Sequence, residues 1–304
     1  MTILEKVYFS VGKFLANIVA SFITNKEKRH RVRYRLNPLN PERCVGYMER
    51  HYASKPACLA SHLSGQASPY IWQCWLQGEE QAPQIVKDCI ASVRHFKRPN
   101  QQHIVITAKN YEQYVRLPSC IIAKWHSGII SNTHFSDLLR IHLLHQYGGY
   151  WIDATCLLTA PIPQEITEEP LFMFHSHGEF SYTLIQSCFI HCAAASYTMQ
   201  RWCEIMDSYW EKENKLIQYF LLHLAFVALV KQDRLFREAY ERMPKKSDAP
   251  AHLLQDMARS GDRHTDELLR QVRDAGFWQK LTYQTSPETQ AKWHALCKQI
   301  IEEP

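Results

Sequence analysis

The chain has 304 residues, of which 46% are apolar and 21% charged, and this composition excludes a disordered or fibrous protein. Residues 26–35 hold six basic and one acidic residue, so they carry the same +5 as the whole chain and the remainder is neutral. A nucleic-acid-binding domain would spread lysine and arginine over its surface, and a nucleic-acid-binding protein therefore stays only as an alternative that rests on this one segment.

The ten cysteines are scattered, include no CxxC pair and lie mostly among apolar residues. This usage is typical of thiols that fill a core in a reducing compartment, and it predicts a cytoplasmic protein. His175 and His177 alternate along a predicted strand, a spacing that more often means surface and core positions than metal ligation.

Residues 3–23 place apolar side chains at helical spacing, with Lys13 and Asn17 on other faces. A spanning helix would bury Lys13 near the middle of the bilayer at about 2.5–3.5 kcal/mol, whereas a helix lying flat avoids this penalty. Because a basic run follows, each cation of which is worth about 1 kcal/mol near anionic lipid, residues 1–36 are predicted to form a membrane-peripheral anchor. The alternative is an amphipathic helix that packs on its own domain or on a partner subunit.

Residues 37–67 contain several prolines and little periodicity, so we predict a linker with a short helix around 42–53, followed by a globular domain over 68–285. A strand over 70–75, a helix over 83–96 and a strand over 103–107 have the spacing of parallel pairing, which predicts an α/β fold. The other predicted elements are a helix at 110–115, strands at 171–174 and 183–190, helices at 195–211, 214–231, 251–259 and 263–275, and a C-terminal helix over 286–304.

The stretch 133–155 predicts a helix followed by a buried strand. Thr133 or Ser136 can cap the start of the helix, apolar positions recur three and four apart, and Gly148 can end it. The strand that follows, with bulky residues on both faces, ends at Asp153. In open α/β sheets this is the edge at which ligands bind.

Asp137 and Arg140 are three residues apart in this helix, so they share one of its faces. We expect them to converge with Asp153 at the end of the strand. Without further context, the first two could form an ordinary surface ion pair and Asp153 could simply cap a turn.

Several stretches, in this order, resemble family-32-type glycosyltransferases, in particular the bacterial capsular polysaccharide synthesis branch. They are YIWQCWLQGEEQAP at 70–83, KNYEQYVRLP at 109–118, SDLLR at 136–140, LLHQYGGYWIDAT at 143–155, YWEKENKLIQYFLLH at 209–223 and, more weakly, QKLTYQ at 279–284. The resemblance covers roughly residues 68–284, and a chance match to one short motif would not extend over so much of the chain.

The resemblance implies a GT-A-like α/β fold that binds a nucleotide-diphosphate sugar and transfers the sugar, with retention of configuration, to an oligosaccharide or lipid-linked glycan of the capsule or lipopolysaccharide. Together with the predicted anchor over 1–36, it predicts a protein at the inner face of the bacterial cytoplasmic membrane, on an anionic lipid surface, and the neutral charge of the remaining chain argues against nucleic acid. The alternative is a non-catalytic glycan- or nucleotide-binding relative that scaffolds an assembly complex, and Thr155 and Ser187 motivate it because both depart from the common family pattern.

The family motif implies that Asp153 contacts the ribose and the transferred sugar, and that Asp137 and Arg140 contact hydroxyls of the donor sugar. In the family the acid at the position of Asp153 is the first of an Asp-x-Asp pair whose second acid holds a divalent cation, Mn²⁺ or Mg²⁺, against the diphosphate. Here Asp153 and Thr155 occupy the two positions and are the predicted metal ligands. A hydroxyl is a poor substitute for a carboxylate toward either ion, although Mg²⁺ often keeps waters and takes charge from substrate phosphates.

The remaining matches concern the nucleotide and the acceptor. Trp75 corresponds to a tryptophan that stacks on the nucleotide base, while Trp72, near it in the same strand, is the rival for that role. Lys280 is either a phosphate contact or a solvated lysine. The acceptor side is assigned, by resemblance, to Glu213, Asn214 and His223.

Overall fold

The computed structural model describes residues 40–53, 68–260 and 267–302, together with residues 11, 12, 15, 18, 19 and 21–23. Most of the predicted anchor over 1–36 therefore lies outside the described residues. Of the helices in the described ranges, none is both long and apolar enough to cross a membrane.

A five-stranded sheet in the order β2-β1-β3-β6-β5 lies at the centre of the domain. β1 pairs in parallel with both β2 and β3, whereas β6 runs antiparallel to β3 and to β5. The carboxyl ends of β1, β2 and β3 consequently meet at one edge, and helices cover both faces, which confirms the predicted α/β class. The strands are β1 (Tyr70–Cys74), β2 (Gln102–Ile106), β3 (Gly149–Ile152), β4 (Cys156–Leu158), β5 (Leu171–His175), β6 (Ile185–Cys192) and β7 (Trp278–Lys280).

The helices follow the predicted order with three additions, α3, α5 and α8, and one late start, while the helix predicted at 110–115 is a single 3-10 turn, Tyr111–Gln113. α7 begins at residue 221 and not at 214, because residues 213–220 form a turn. The helices are α1 (Pro41–His51), α2 (Gln84–Phe96), α3 (Ser119–His126), α4 (Asn132–Tyr147), α5 (Gln164–Thr167), α6 (Tyr197–Lys212), α7 (Leu221–Gln232), α8 (Arg234–Arg242), α9 (Leu253–Ser260), α10 (Leu268–Asp274) and α11 (Pro287–Glu302).

The junction of α4 and β3 depends on a cap and two glycines. Ser131 caps the helix by accepting a hydrogen bond from the backbone N–H of residue 134, so the predicted caps at 133 and 136 are wrong because both positions lie inside the helix. Gly148 ends the helix with φ of 65°. Gly149 has φ of 88°, and a Cβ there would lie 2.2 Å from the carbonyl oxygen of Tyr70, so only glycine lets β3 approach β1 this closely.

A second, two-stranded sheet was not predicted. β4 pairs antiparallel with β7, and Cys156 lies directly opposite Lys280. The backbone N–H of Leu281 also donates to the carbonyl oxygen of Thr155 at 2.8 Å. This pairing fixes the C-terminal segment beside the residues that follow β3.

Helix α1 belongs to the hydrophobic core. Its Cys44, Val45, Tyr47 and Met48 are buried in the same cluster as helices α4, α6 and α7. Residues 40–53 are therefore part of the domain and not of the predicted linker. On the opposite face of the sheet, α2 packs on β4 and α11 packs on α2.

Candidate active site

Asp153 follows the last residue of β3, at the edge where the parallel strands end. Its Oδ1 accepts hydrogen bonds from Trp151 Nε1 at 2.8 Å and from Arg140 Nη2 at 3.1 Å, and its Oδ2 accepts one from Lys280 Nζ at 2.9 Å. Its side chain remains 24% exposed. The carboxylate therefore points toward Arg140 and is open to solvent.

Arg140 is the most buried charged side chain among Asp137, Arg140, Asp153 and Lys280, and it is 6% exposed. Its Nη2 also pairs with Asp137 Oδ1 at 3.1 Å, and its Nη1 donates to both the carbonyl and the hydroxyl oxygen of Ser187. The guanidinium carbon lies 5.0 Å from the ring centroid of Trp151. The structure thus brings Asp137, Arg140 and Asp153 together, as their spacing in the sequence suggested.

These contacts shift the pKa values of Asp153 and Asp137 in opposite directions. Burial would raise the pKa of Asp153, but the charges of Lys280 and Arg140 outweigh burial and hold that pKa well below its ordinary value. For Asp137 burial prevails over the attraction of Arg140, and the pKa is raised. Asp153 is consequently a firmly ionised carboxylate at neutral pH.

Lys280 lies at the end of β7, opposite Cys156. Its ammonium bridges Asp153 Oδ2 and Thr155 Oγ1, at 2.9 and 2.7 Å. Burial would lower the pKa of Lys280, yet the charge of Asp153 raises it above its ordinary value, so the side chain is a cation. Its side chain is 20% exposed, which is too buried for a solvated surface lysine.

A cleft of about 280 Å³ opens directly above this cluster. Trp75, at the end of β1, lines it, and its ring meets that of Tyr283 edge-on with 5.5 Å between centroids. Trp72 is fully buried instead, with its Nε1 donating to the carbonyl oxygen of Gly148. Of the two tryptophans, only Trp75 is placed to meet a ligand. The cleft is lined by Cys74, Trp75, Leu76, Gln77, Asn132, Thr133, Ser136, Arg140, Trp151, Asp153, Ala154, Thr155, Tyr219, Lys280 and Tyr283.

A larger groove of about 990 Å³ continues from this cleft along the ends of β1 and β2. The two share Leu76 and Gln77 in their linings, so they adjoin at the residues that follow β1. The groove also carries Lys87 and Lys109. Together the two spaces suit an elongated ligand with a charged centre.

The three residues assigned to the acceptor side do not line the cleft. Glu213 is 2% exposed and accepts hydrogen bonds from the hydroxyls of Tyr47 and Tyr52, at 2.7 and 2.6 Å, so it holds α1 to the core. Asn214 is exposed in the turn before α7. His223 is close enough to Arg140 for that charge, after burial, to help lower its pKa to about 3.

The predicted metal ligands, Asp153 and Thr155, are a poor donor set for a divalent ion. Asp153 Oδ2 and Thr155 Oγ1 are already joined by the ammonium of Lys280. Among the described residues that line the cleft, Asp153 is the sole carboxylate. Mg²⁺ and Mn²⁺ prefer several oxygen ligands, so the residues present do not fit the predicted site.

Within the described ranges, one group of three ligand-type side chains lies elsewhere, after β5. His177 Nδ1 and His252 Nε2 contact the two oxygens of the buried Asp248, at 2.6 and 3.2 Å. Burial would raise the pKa of Asp248, but the hydrogen bonds from His252 and His177 lower it. We interpret the group as compensation for a buried carboxylate.

Sequence reasoning missed several contacts of the site. Trp151 was predicted only as strand bulk, yet its indole N–H donates to Asp153. Ser187 was seen as a departure from the family pattern, and it binds Arg140. Gln73 donates to the backbone carbonyl of Asp153 at 3.3 Å. A polar residue inside the apolar run of β1 was the available signal for Gln73.

Comparison with known proteins supports the resemblance described above. A solved structure titled "PaToxG Glycosyltransferase" aligns with 96% of this chain and 97% of its own at 12% identity, but its TM-score of 0.37 is too low to inform fold or function. No curated protein matches significantly. The model of the family described as "Capsular polysaccharide synthesis protein" matches residues 49–300, while membership of family 32 stays a prediction. Since this match spans most of the sequence, the chain belongs to the capsular polysaccharide synthesis protein family.

Proposed function

We propose that the protein is a retaining glycosyltransferase of GT-A-like fold that moves a sugar from a nucleotide-diphosphate donor to a capsular or lipopolysaccharide glycan. The observation that carries this proposal is the ionised Asp153, held between Arg140 and Lys280 in an open cleft at the carboxyl edge of the sheet. Family membership supports the same class of reaction.

In this proposal the donor binds mainly in the cleft. The base lies against Trp75, close to where the cleft adjoins the larger groove at Leu76 and Gln77, and the diphosphate faces Arg140 and Lys280, where fixed cations in a partly buried site are most effective. The donor sugar meets Asp153, with Asp137 close behind it. The side chains that line the cleft include Trp75, Arg140, Asp153 and Lys280, and Asp137 contacts Arg140.

The reaction follows from the charges. The bond between the sugar C1 and the diphosphate oxygen breaks, and its electron pair stays on the phosphate, where the two cations stabilise the developing charge. The acceptor hydroxyl oxygen forms the new bond to C1 on the same face, and its proton passes to the departing phosphate. Asp153 stabilises the positive charge that develops on the sugar ring.

A panel of nucleotide sugars tests the proposal. Purified protein should gain thermal stability with one donor class, because a ligand that binds only the folded state raises the melting temperature. Hydrolysis or transfer of that donor should fall at least a hundredfold in Asp153→Asn and stay unchanged in Asp274→Asn, which alters an exposed carboxylate outside the cleft.

The outcomes separate enzyme from binding protein. Stabilisation by a nucleotide sugar without hydrolysis or transfer to any tested glycan would favour the non-catalytic relative. If no nucleotide sugar stabilises the protein, neither function holds.

We also propose that the N-terminal segment binds an anionic membrane surface. Its described positions include five exposed apolar side chains, Val11, Leu15, Ile18, Val19 and Phe22, and residues 26–35 follow with their charge of +5. Deleting residues 26–35 should reduce sedimentation with vesicles that contain anionic lipid. Loss of nucleic-acid retention without loss of sedimentation would support the nucleic-acid alternative instead.

A further inference from the structure

The ammonium of Lys280 lies where a metal ion would be expected. It bridges a carboxylate oxygen of Asp153 and the hydroxyl of Thr155, the two positions that correspond to the metal-holding pair of the resembled family. We propose that Lys280, rather than a divalent metal ion, supplies the charge that holds and releases the donor diphosphate. This inference rests on the proposed function.

The fold places Lys280 there by backbone pairing and not by a flexible side chain alone. Lys280 lies directly opposite Cys156 in the β4–β7 ladder, and the next residue, Leu281, bonds to Thr155. A lysine with this anchoring is a fixed part of the site. The C-terminal strand therefore delivers the cation to the end of β3.

The ammonium of Lys280 has one N–H group left to bind a ligand. An ammonium has three N–H donors, and the contacts to Asp153 and Thr155 use two of them. Because Lys280 lines the cleft, the third donor is available to a phosphate oxygen.

The charge count also favours a lysine. Among the described side chains that line the cleft, Arg140 and Lys280 are the cations and Asp153 is the sole anion. Two fixed cations can face the two phosphate groups of a diphosphate, and a metal ion would have to share Asp153 with both of them. Like charges in a partly buried site repel strongly, so the pair opposes metal entry.

Nucleoside diphosphates and Mn²⁺ are the probes for the test. The melting temperature of the full chain is measured with UDP, GDP, CDP and ADP, each in EDTA and each with Mn²⁺. We expect at least one nucleotide to stabilise the wild type in EDTA, with no further gain from Mn²⁺. Stabilisation that requires Mn²⁺ would overturn this inference and leave the proposed function standing. No stabilisation under either condition would overturn both.

Variants of Lys280 give a second readout. Lys280→Met should weaken binding of the stabilising nucleotide in EDTA by about tenfold or more, because a charge-assisted bond is lost, and Lys280→Arg should retain part of it. Lys292→Met, on the exposed face of α11, is the matched control and should bind like the wild type. Equal binding by the Lys280→Met variant, once circular dichroism shows it folded, would overturn the inference.

Direct metal titration completes the test independently of activity. Mn²⁺ should not bind the wild-type cleft in isothermal titration, and it should bind when Thr155→Asp and Lys280→Ala are combined, because the double change restores two carboxylates and removes the competing cation. Tight binding of Mn²⁺ to the wild type that is lost in Asp153→Asn would contradict the assignment.

Discussion

Trp75 is the residue whose position most directly tests how the nucleotide binds. Its indole faces the cleft beside Tyr283, and its ring N–H is buried without a partner among the described residues. Trp75→Ala should weaken nucleotide binding by about 1–3 kcal/mol, because stacking of a base on an aromatic ring is worth roughly that much. Isothermal titration with the stabilising nucleotide measures the change.

A matched variant separates stacking from packing. Trp75→Phe keeps an aromatic face and should lose less than half of the effect in the same titration. An Ala variant that keeps both its melting temperature and its nucleotide affinity would show that the base lies elsewhere.

The family motif assigns Glu213 to the acceptor side, whereas the structure buries it beneath α1. It accepts hydrogen bonds from Tyr47 and Tyr52 beneath α1. Glu213→Leu should lower the free energy of unfolding by about 1–3 kcal/mol, because two buried hydroxyls lose their acceptor. Donor hydrolysis at 20 °C should be unchanged. A variant of normal stability with lost transfer to glycan would instead support the acceptor role.

At the scale of elements, the turn between α4 and β3 determines where Asp153 lies. A Cβ at Gly149 would meet the backbone oxygen of Tyr70 at 2.2 Å, so Gly149→Ala must push β3 away from β1. We expect a loss of several kcal/mol in denaturant unfolding, or no soluble protein, since the obstacle is backbone and cannot rotate aside.

Gly78 provides the control for this substitution. Its φ of 89° is nearly that of Gly149, yet a Cβ there meets nothing within 4 Å. Gly78→Ala should therefore show only conformational strain, about 1–3 kcal/mol, because its ψ of 148° lies in a region that is essentially restricted to glycine. Equal losses in the two variants would mean that strain, and not the close approach of the strands, explains the glycine.

Local signals explain why this element was predictable. The helix over 132–147 has apolar residues at helical spacing and a glycine at its end, and β3 is a short apolar run, so each is specified by neighbours in the sequence. Asp153 could be placed at the sheet edge for the same reason. The helix cap was missed by two residues, since several polar side chains nearby compete for that position.

The contact that changes the chemistry could not be predicted in this way. Lys280 and Asp153 are 127 positions apart in the chain, and they meet only because β7 pairs with β4 in one register. Strands of three residues carry no readable periodicity. Similarly, the burial of α1 depends on α7, far along the chain, and proline content alone suggested a linker.

At the scale of the whole molecule, several buried histidines link folding to pH. Burial lowers the pKa of His191 and of His103 to about 4, and that of His223 to about 3, so all three are neutral in the folded protein at pH 5. In the unfolded chain each titrates near 6.5. Between about pH 4 and 6.5 the unfolded state therefore binds more protons, and stability must fall as pH falls through this window.

His191 isolates one part of this effect. Its ring is 4% exposed and lies 4.4 Å from that of Tyr150, and burial is the main cause of its lowered pKa. His191→Phe retains an aromatic ring and removes the titration, so the loss of stability between pH 7.5 and pH 5 should shrink by about 2 kcal/mol in denaturant unfolding. His126→Phe, at an exposed position, should leave the pH dependence unchanged. If both variants lose stability as steeply as the wild type, the imidazole at 191 is already protonated in the folded state, and Tyr150 must pack against a cation.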